Sequence, residues 1–179
     1  MCEGKMNILD VIKTRRSVRD FTDRKILESA IDALIDAVRW APSAGNLQSR
    51  KFYFVSNEDI RNRLAQTGFR QDFVSFVARA PLVVVACADL RISSRYGERG
   101  TNLYCIQDTA ASVQNLLLAA HELGLCACWV GAFKEEKVGE ILDLPDYLRP
   151  VVIVPVGYPS RVPKAPDRVS KEDAVVFVP

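Results

Sequence analysis

IQDTAASVQNLLLAAHELGLCACWVGAF, residues 106–133, is the stretch on which the reading of this chain turns. Its first part suits one long helix. Apolar or small residues at Ala110, Val113, Leu116, Leu117, Leu118, Ala120 and Leu123 cover almost every side of it. A helix coated that way is buried all round, in a core or against a partner chain. Gln107, Asp108 and Asn115 are polar exceptions near its start. Gly124 suits a left-handed C-cap, and Cys126 to Val130 is the short apolar run of a buried strand. Taken alone, the stretch is a core helix followed by a core strand.

Composition narrows the class. The chain has 179 residues, enough for one domain with a sizeable core, and 49% of them are apolar. Its charges almost cancel, at +2, which implies neither disorder nor a broad nucleic-acid-binding face. No stretch approaches the roughly 20 uninterrupted apolar residues of a membrane helix. MCEGKMNILDVIKTRR at the start lacks the apolar centre of a signal peptide, so a cytoplasmic location is expected. Five cysteines, an odd number, fit a reducing compartment better than a disulfide framework. Cys126 and Cys128 share a face if their segment is a strand, but no Cys or His pair at zinc spacing accompanies them. Buried thiols are the simpler reading, and no metal site is expected. The single histidine, His121, lies inside the apolar helix and reads as structural. One histidine disfavours a Ser-His-Asp hydrolase and a multi-histidine metal centre.

Outward from that stretch, elements alternate along the chain. Asn7 to Lys13 suits a short helix; Leu27 to Val38 follows helical three-four spacing, with Thr22 or Asp23 as cap and Trp40 as its end before Pro42. Lys51 to Val55 reads as a strand. Asn57 caps a polar helix to about Thr67, and Gln71 to Arg79 is a second. Pro81 to Ala88 is a strand apolar on both faces. Residues 89–105 form a long polar stretch without periodicity, the composition of a lid or binding loop. A short helix over Lys134 to Leu142, a strand over Pro150 to Val156 and a final apolar run, Ala174 to Val178, complete the chain.

Two loops carry chemistry. TRRSVRDF, residues 14–21, places three arginines in five positions beside Ser17. It is either a solvated basic turn or an anion site, because arginine forks and a hydroxyl are what a phosphate needs. APSAGNLQ, residues 41–48, contains the turn residues Pro42, Ser43 and Gly45. A turn would not also need Asn46 and Gln48, which offer donors and acceptors to a flat heterocycle. Neither the Gly-x-Gly-x-x-Gly nor the P-loop pattern occurs, so a phosphate would have to be held by side chains such as Arg15, Arg16, Arg19 and Arg168.

RRSVRDF (15–21), APSAGNLQ (41–48), the IQD…QN…GL…WVGAF run (106–133) and Arg168, in that order and spacing, resemble the FMN-dependent nitroreductase family over about residues 7–170. The resemblance implies one α+β domain over residues 1–179, with a mostly antiparallel sheet wrapped by helices, and an intertwined homodimer with FMN at the interface. Residues 171–179 would be a C-terminal arm adding to the partner's sheet. It also implies an NAD(P)H-dependent FMN oxidoreductase working by a ping-pong cycle on an electron-poor acceptor such as a nitroaromatic or quinone. A specialised flavoenzyme of the same fold, or a flavin-binding protein without turnover, are the alternatives.

By the same resemblance, Arg15, Arg16 and Ser17 would hold the FMN phosphate and ribityl chain, joined by Arg168 and Lys164, while Arg19 would lie beside flavin N1 and O2. Pro42, Ser43, Ala44, Asn46 and Gln48 would line the ring from the other subunit, and Val130, Gly131 and Ala132 would approach N5 and O4 through backbone. Arg95, Tyr96 and Arg99 would meet the acceptor or nicotinamide, unless they are ordinary solvent-facing loop residues. Ala44 stands where many relatives carry a second serine. Gly131-Ala132 replaces the Glu-Gly pair of the larger members, which points to a compact WVGAF branch. Ser49 and Arg50 replace a frequent proline and tryptophan.

Overall fold

In the computed structural model, which describes residues 7–69 and 71–179 (side chains of 71–74 excepted), four antiparallel strands form one sheet. They are β1 (Arg50–Val55), β2 (Leu82–Asp89), β3 (Cys126–Ala127) and β4 (Leu148–Gly157), in the order β1-β2-β4-β3. Helices α1 (Ile8–Thr14), α2 (Glu28–Arg39), α3 (Glu58–Ala65), α4 (Gln71–Arg79), α5 (Leu90–Ser93), α6 (Gly97–Arg99), α7 (Cys105–Glu122), α8 (Glu135–Leu142) and α9 (Lys171–Ala174) surround it. The class is α+β, as the sequence implies.

The two-faced apolar character of β2 has a direct cause. Leu82, Val84 and Ala86, with Val152, Val154 and Val156 of β4, pack on Leu34 and Val38 of α2 and on Val113, Leu116 and Ala120 of α7. Val83, Val85 and Cys87 face the other way, against Leu64 of α3, Phe76 and Val77 of α4 and Val138 of α8. Helices therefore cover both faces of an antiparallel sheet, and each fully buried Val or Leu contributes about 1.5–3 kcal/mol. Cys126 and Cys128 share the second layer while Ala127 faces the first, the alternation expected of a strand.

Helix α7 ends as its sequence requires. Gly124 has φ +71°, Leu125 N donates to Ala120 O at 2.8 Å and Gly124 N to His121 O at 3.1 Å, the paired bonds of a Schellman cap. The helix is not buried all round within this chain. Gln107 and Gln114 are exposed and Ala111 and Leu118 half-buried on one face.

Three expectations change. The strand expected over Cys126–Val130 is regular only at Cys126–Ala127, although Val130 and Ile153 still exchange both backbone bonds, at 2.9 and 3.0 Å. The interruption falls where Pro155 faces Cys128: proline has no N–H to donate, so Cys128 N bonds one way to Pro155 O at 3.3 Å. Helix α2 starts at Glu28 behind Leu27, with no side-chain cap from Thr22 or Asp23. Thr22 N is instead bonded to Tyr158 O, and Arg24 stacks over the Tyr158 ring at 3.9 Å. Residues 89–105 are not a loop but successive turns: α5, a 3-10 turn at Ser94–Tyr96, α6 and a π-turn at Gly100–Tyr104. Asp89 caps α5 through Arg91 N and Ile92 N, and Ser93, Ser94 and Thr101 bond back to carbonyls in their own turns. Polar side chains thus satisfy the turns locally without an apolar stripe. The apolar residues Val175 to Val178 follow α9 and are exposed.

Candidate functional site

Residues 15–21 are fixed by two isolated bridges, Ser17 to Ala127 and Phe21 to Pro159, and by two side chains that enter the core. Arg15 leaves helical conformation after α1, Val18 N donates to Ala127 O at 3.2 Å, and Val18 and Phe21 are buried. Arg19, between them, faces outward. A later loop is tied alongside: Thr22 N bonds Tyr158 O at 2.9 Å and Ser160 N bonds Asp20 O at 3.0 Å. Those ties bring distant basic residues together.

The result is a cavity of ≈ 330 Å³ lined by Arg15, Arg16, Ser17, Arg19, Pro163, Lys164, Pro166 and Arg168. Among the described residues, none of these five cations is in an ion pair; the pairs present are Arg39–Asp36, Arg91–Asp89, Lys137–Glu140 and Arg149–Glu135. Burial, then Arg16, then Arg168 push the Arg15 pKa down. Crowded like charges carry a repulsion that a bound anion relieves. Arg16 is partly committed, donating to the carbonyls of Lys13 at 2.7 Å and Arg15 at 2.8 Å. His121, whose Nε2 lies 2.8 Å from Thr14 Oγ1, has its pKa lowered by burial and by Arg15 and Arg16.

A second cavity of ≈ 340 Å³, lined by Arg39, Trp40, Ala41, Pro42, Asn46 and Gln48, shares no lining residue with the first. Its backbone is unusual. Gly45, Asn46 and Gln48 all have positive φ, at 54°, 56° and 53°, a conformation that glycine and asparagine accept more readily than glutamine. Side chains hold it there. Ser43 Oγ accepts from Gln48 N at 2.9 Å, and the Asp108 carboxylate of α7 accepts from Ala44 N at 2.9 Å and from Ser49 Oγ at 3.0 Å. Arg50 donates to the carbonyls of Arg39, Ala41 and Pro42 at 3.2, 2.6 and 3.3 Å. Burial lowers the Arg50 pKa, and Asp108 opposes that.

Sequence reasoning named the residues of this loop but missed what holds them. Ser49 and Arg50 had looked like mere departures from a pattern, and Asp108 like a polar exception. The only signal was an acid inside an apolar helix.

The remaining candidates divide. Tyr96 lies against the loop: a Cβ on Gly45 would fall 2.2 Å from its hydroxyl oxygen. Its ring meets Tyr104 edge-on, with centroids 5.6 Å apart, and Arg99 Nε donates to the Tyr104 hydroxyl at 3.0 Å. Arg95 is exposed. Val130 is buried in its bridge to Ile153, while Gly131 and Ala132 are exposed and line neither cavity. A Cβ at Gly131 would meet only Trp129 Nε1, at 3.8 Å, so packing within this chain does not demand glycine there.

Among the described residues the four thiols are buried and held protonated. Burial pushes Cys87 and Cys126 up to about 12 and raises Cys105 and Cys128. Among the described residues no three His, Cys, Asp or Glu side chains gather as metal ligands, and no helix is long and apolar enough to cross a membrane.

Comparison with known proteins agrees with this geometry. A Methanothermobacter thermautotrophicus protein whose name couples NADH dehydrogenase with NAD(P)H nitroreductase is 32% identical, over 94% of this chain and 88% of its own. The FMN reductase (NADPH) of Bacillus subtilis is 27% identical, over 93% and 71%. The crystal structure of a nitroreductase family protein from Clostridium difficile superposes with a TM-score of 0.83 at 30% identity, covering 96% of this chain and 98% of that one. Residues 12–158 match the Nitroreductase family pattern, a span that includes the 15–19 arginines, the 41–48 loop and all of α7, and the chain belongs to that family.

Proposed function

We propose that this protein is an NAD(P)H-dependent FMN oxidoreductase that passes electrons to an electron-poor acceptor and works as a homodimer. The observation that carries the reading is the cavity holding Arg15, Arg16, Ser17, Arg19, Lys164 and Arg168 without a paired carboxylate among the described residues. Five cations and a hydroxyl suit a phosphomonoester, which carries about −1.5 to −2 charges. FMN is the phosphorylated flavin that the family resemblance implies, and the donor set fits it.

Each residue has a role this chemistry supports. Arg15, Arg16, Ser17 and Arg168 hold the phosphate and ribityl chain, with Lys164 beside them. Arg19 supplies a fixed cation that favours negative charge at the pyrimidine side of the ring. Pro42, Ser43, Ala44, Asn46 and Gln48 of one subunit would line the ring bound by the other, and the backbone from Val130 through Gly131 to Ala132 would approach N5 and O4. When bound, FMN supplies hydride acceptance from the nicotinamide and reduction of a quinone, nitroaromatic or similar acceptor. The side chains position, screen and polarise; no separate general base is required.

Two half-sites that share no lining residue suit assembly from two chains. Ile8, Leu9 and Ile12 of α1 are exposed, and α1 and α7 frame an apolar cavity of ≈ 270 Å³ lined by Ile8, Val11, Leu118, Ala119 and Glu122. Val176 and Phe177 are 84% and 92% exposed, while among the described residues β1 pairs only with β2 and leaves one edge of the sheet unpaired. Unpaired edges and exposed apolar arms call for a partner. The C-terminal arm, residues 171–179, adds to the partner's sheet in this reading. Buried reduced thiols suit the cytoplasm.

The test is a visible absorption spectrum of the purified protein, repeated anaerobically with NADH and then NADPH. A flavin spectrum that bleaches with a nicotinamide supports the reading. A flavin that neither donor bleaches favours a specialised or storage role, and no flavin after reconstitution with FMN removes the functional assignment.

A further inference from the structure

The phosphate cavity does not end at the residues that one phosphate requires. A larger cavity of ≈ 540 Å³ adjoins it, lined by Ser17, Arg19, Asp20, Arg79, Arg161, Pro163 and Lys164. Ser17, Arg19, Pro163 and Lys164 line both. Together the two hold seven cations, Arg15, Arg16, Arg19, Arg79, Arg161, Lys164 and Arg168, against one carboxylate, Asp20. Formally that is +6, in a chain whose total is only +2. One phosphomonoester offsets about two of those charges. An excess of about four remains on one side of the flavin phosphate position.

Arg161 is held there by the fold. Phe21 bridges Pro159, and Ser160 N donates to Asp20 O at 3.0 Å, so the residue just before Arg161 is fastened to the strand that carries Arg19. Arg79 comes from a separate element, as the last residue of α4, where the helix macrodipole stabilises a cation. Two arginines thus converge on one cavity from separate elements, and among the described residues neither is in an ion pair. The cavity falls in the range of small-ligand sites, roughly 300–1,000 Å³.

We propose that Arg79 and Arg161, the two cations of this cavity not assigned to the flavin, form a second anion subsite that takes a phosphate group of the electron donor, the 2′-phosphate that distinguishes NADPH from NADH. The proposal rests on the reading above that the donor is a nicotinamide dinucleotide. Two converging arginine forks suit the three terminal oxygens of a phosphomonoester, and a ribose hydroxyl in its place leaves both uncompensated. The enzyme therefore discriminates in favour of NADPH by charge.

The experiment is a calorimetric titration of the FMN-loaded protein with adenosine 2′,5′-bisphosphate and with 5′-AMP. It is repeated on Arg161→Ser and on the Arg79→Ser/Arg161→Ser pair, with FMN affinity followed separately by flavin fluorescence. The wild-type protein binds the bisphosphate at least about tenfold more tightly than 5′-AMP. In the double variant that preference collapses to within about threefold while FMN affinity holds. Equal binding of the two nucleotides by the wild type overturns the proposal, as does a preference that survives in the double variant. Loss of FMN in that variant also overturns it, by assigning the arginines to the flavin's own site. A double variant that instead raises KM only for acidic acceptors assigns the subsite to the acceptor and overturns the donor role. If the wild type binds no FMN, the oxidoreductase reading fails on its own, and the same titration of the protein as purified still decides whether the 2′-phosphate is recognised.

Discussion

The Asp108 carboxylate accepts a hydrogen bond from Ser49 Oγ at 3.0 Å across a sequence separation of 59 residues, with both side chains buried, at 6% and 1% exposure. A second bond from Ala44 N ties the same carboxylate to the turn that carries Gly45 and Asn46. The helix at the centre of the chain thereby positions the loop assigned to the flavin ring.

Asp108→Ala leaves the Ser49 hydroxyl and the Ala44 N–H without that acceptor and is expected to destabilise the protein by about 1–3 kcal/mol. Ser49→Ala costs less, because it also removes the donor. A double-mutant cycle by urea denaturation should show coupling above about 0.5 kcal/mol. Strict additivity would mean that the bond contributes nothing.

Gly45→Ala meets two obstacles, a φ of +54° and the Tyr96 hydroxyl oxygen 2.2 Å from the new Cβ. The backbone term alone is about 1 kcal/mol. Tyr96→Phe removes the clashing oxygen, so the double variant should regain part of the loss in a thermal melt. No recovery would show that Tyr96 does not press on the loop in solution.

Among the described residues Arg168 donates a hydrogen bond only to its neighbour, from Nη1 to Asp167 O at 3.2 Å, so it can be removed with little structural cost. Arg168→Ala should raise the FMN dissociation constant about 10- to 100-fold, the loss of one charge-assisted bond. Its flavin-free melting temperature should stay put. Arg16→Ala is a less clean probe, because Arg16 also bonds the carbonyls of Lys13 and Arg15. Arg19→Gln should slow flavin reduction more than it loosens FMN; the reverse ranking would exchange the roles of these arginines.

His121 sets a pH dependence of stability. Burial and the neighbouring Arg15 and Arg16 hold its pKa below the ordinary 6.5. The unfolded chain therefore takes up the proton first as pH falls, so stability is complete above about 6.5 and declines from there through the lower folded value. His121 is the only histidine, which makes the effect assignable. Urea unfolding at pH 7.5 and 5.5 should show a larger loss for the wild type than for His121→Gln. Equal losses would refute the shift. A phosphate bound beside Arg15 and Arg16 offsets part of the repulsion, so the imidazole should titrate higher in the FMN-loaded protein.

Removal of the exposed arm after Lys171 should weaken the dimer and its hold on FMN, because Val175 to Val178 have no cover within their own chain. Analytical ultracentrifugation paired with flavin content reads both. A truncated chain that stays fully dimeric and flavin-bound would remove the arm from the interface.

Much of the fold was legible because apolar periodicity is a local property. The span of α4, the Schellman cap at Gly124 and the buried β2 follow from spacing, a single glycine and a run of β-branched residues. The turns between Asp89 and Tyr104 were not legible, because serine, threonine and aspartate satisfy those turns with polar atoms and leave no apolar stripe to read. The basic residues near position 15 were marked by composition as an anion site or a solvated turn. Arg79 and Arg161 were missed because nothing near either in the chain distinguishes it from a surface arginine.

The sequence by itself determined the long helices and the buried strand β2, and it concentrated cations near position 15 and amides near position 46. Local spacing and side-chain chemistry suffice for that. The tertiary structure decided which of those residues meet. Pairing β4 against residues 126–130 put Pro155 opposite Cys128 and broke the strand there. Packing α7 on the sheet carried Asp108 to Ser49, and the ties from Asp20 to Ser160 and from Thr22 to Tyr158 brought Arg161, Lys164 and Arg168 to the arginines of residues 15–19. A buried polar group must find a partner wherever the topology places one, and that choice is written in the fold rather than in any short stretch of chain.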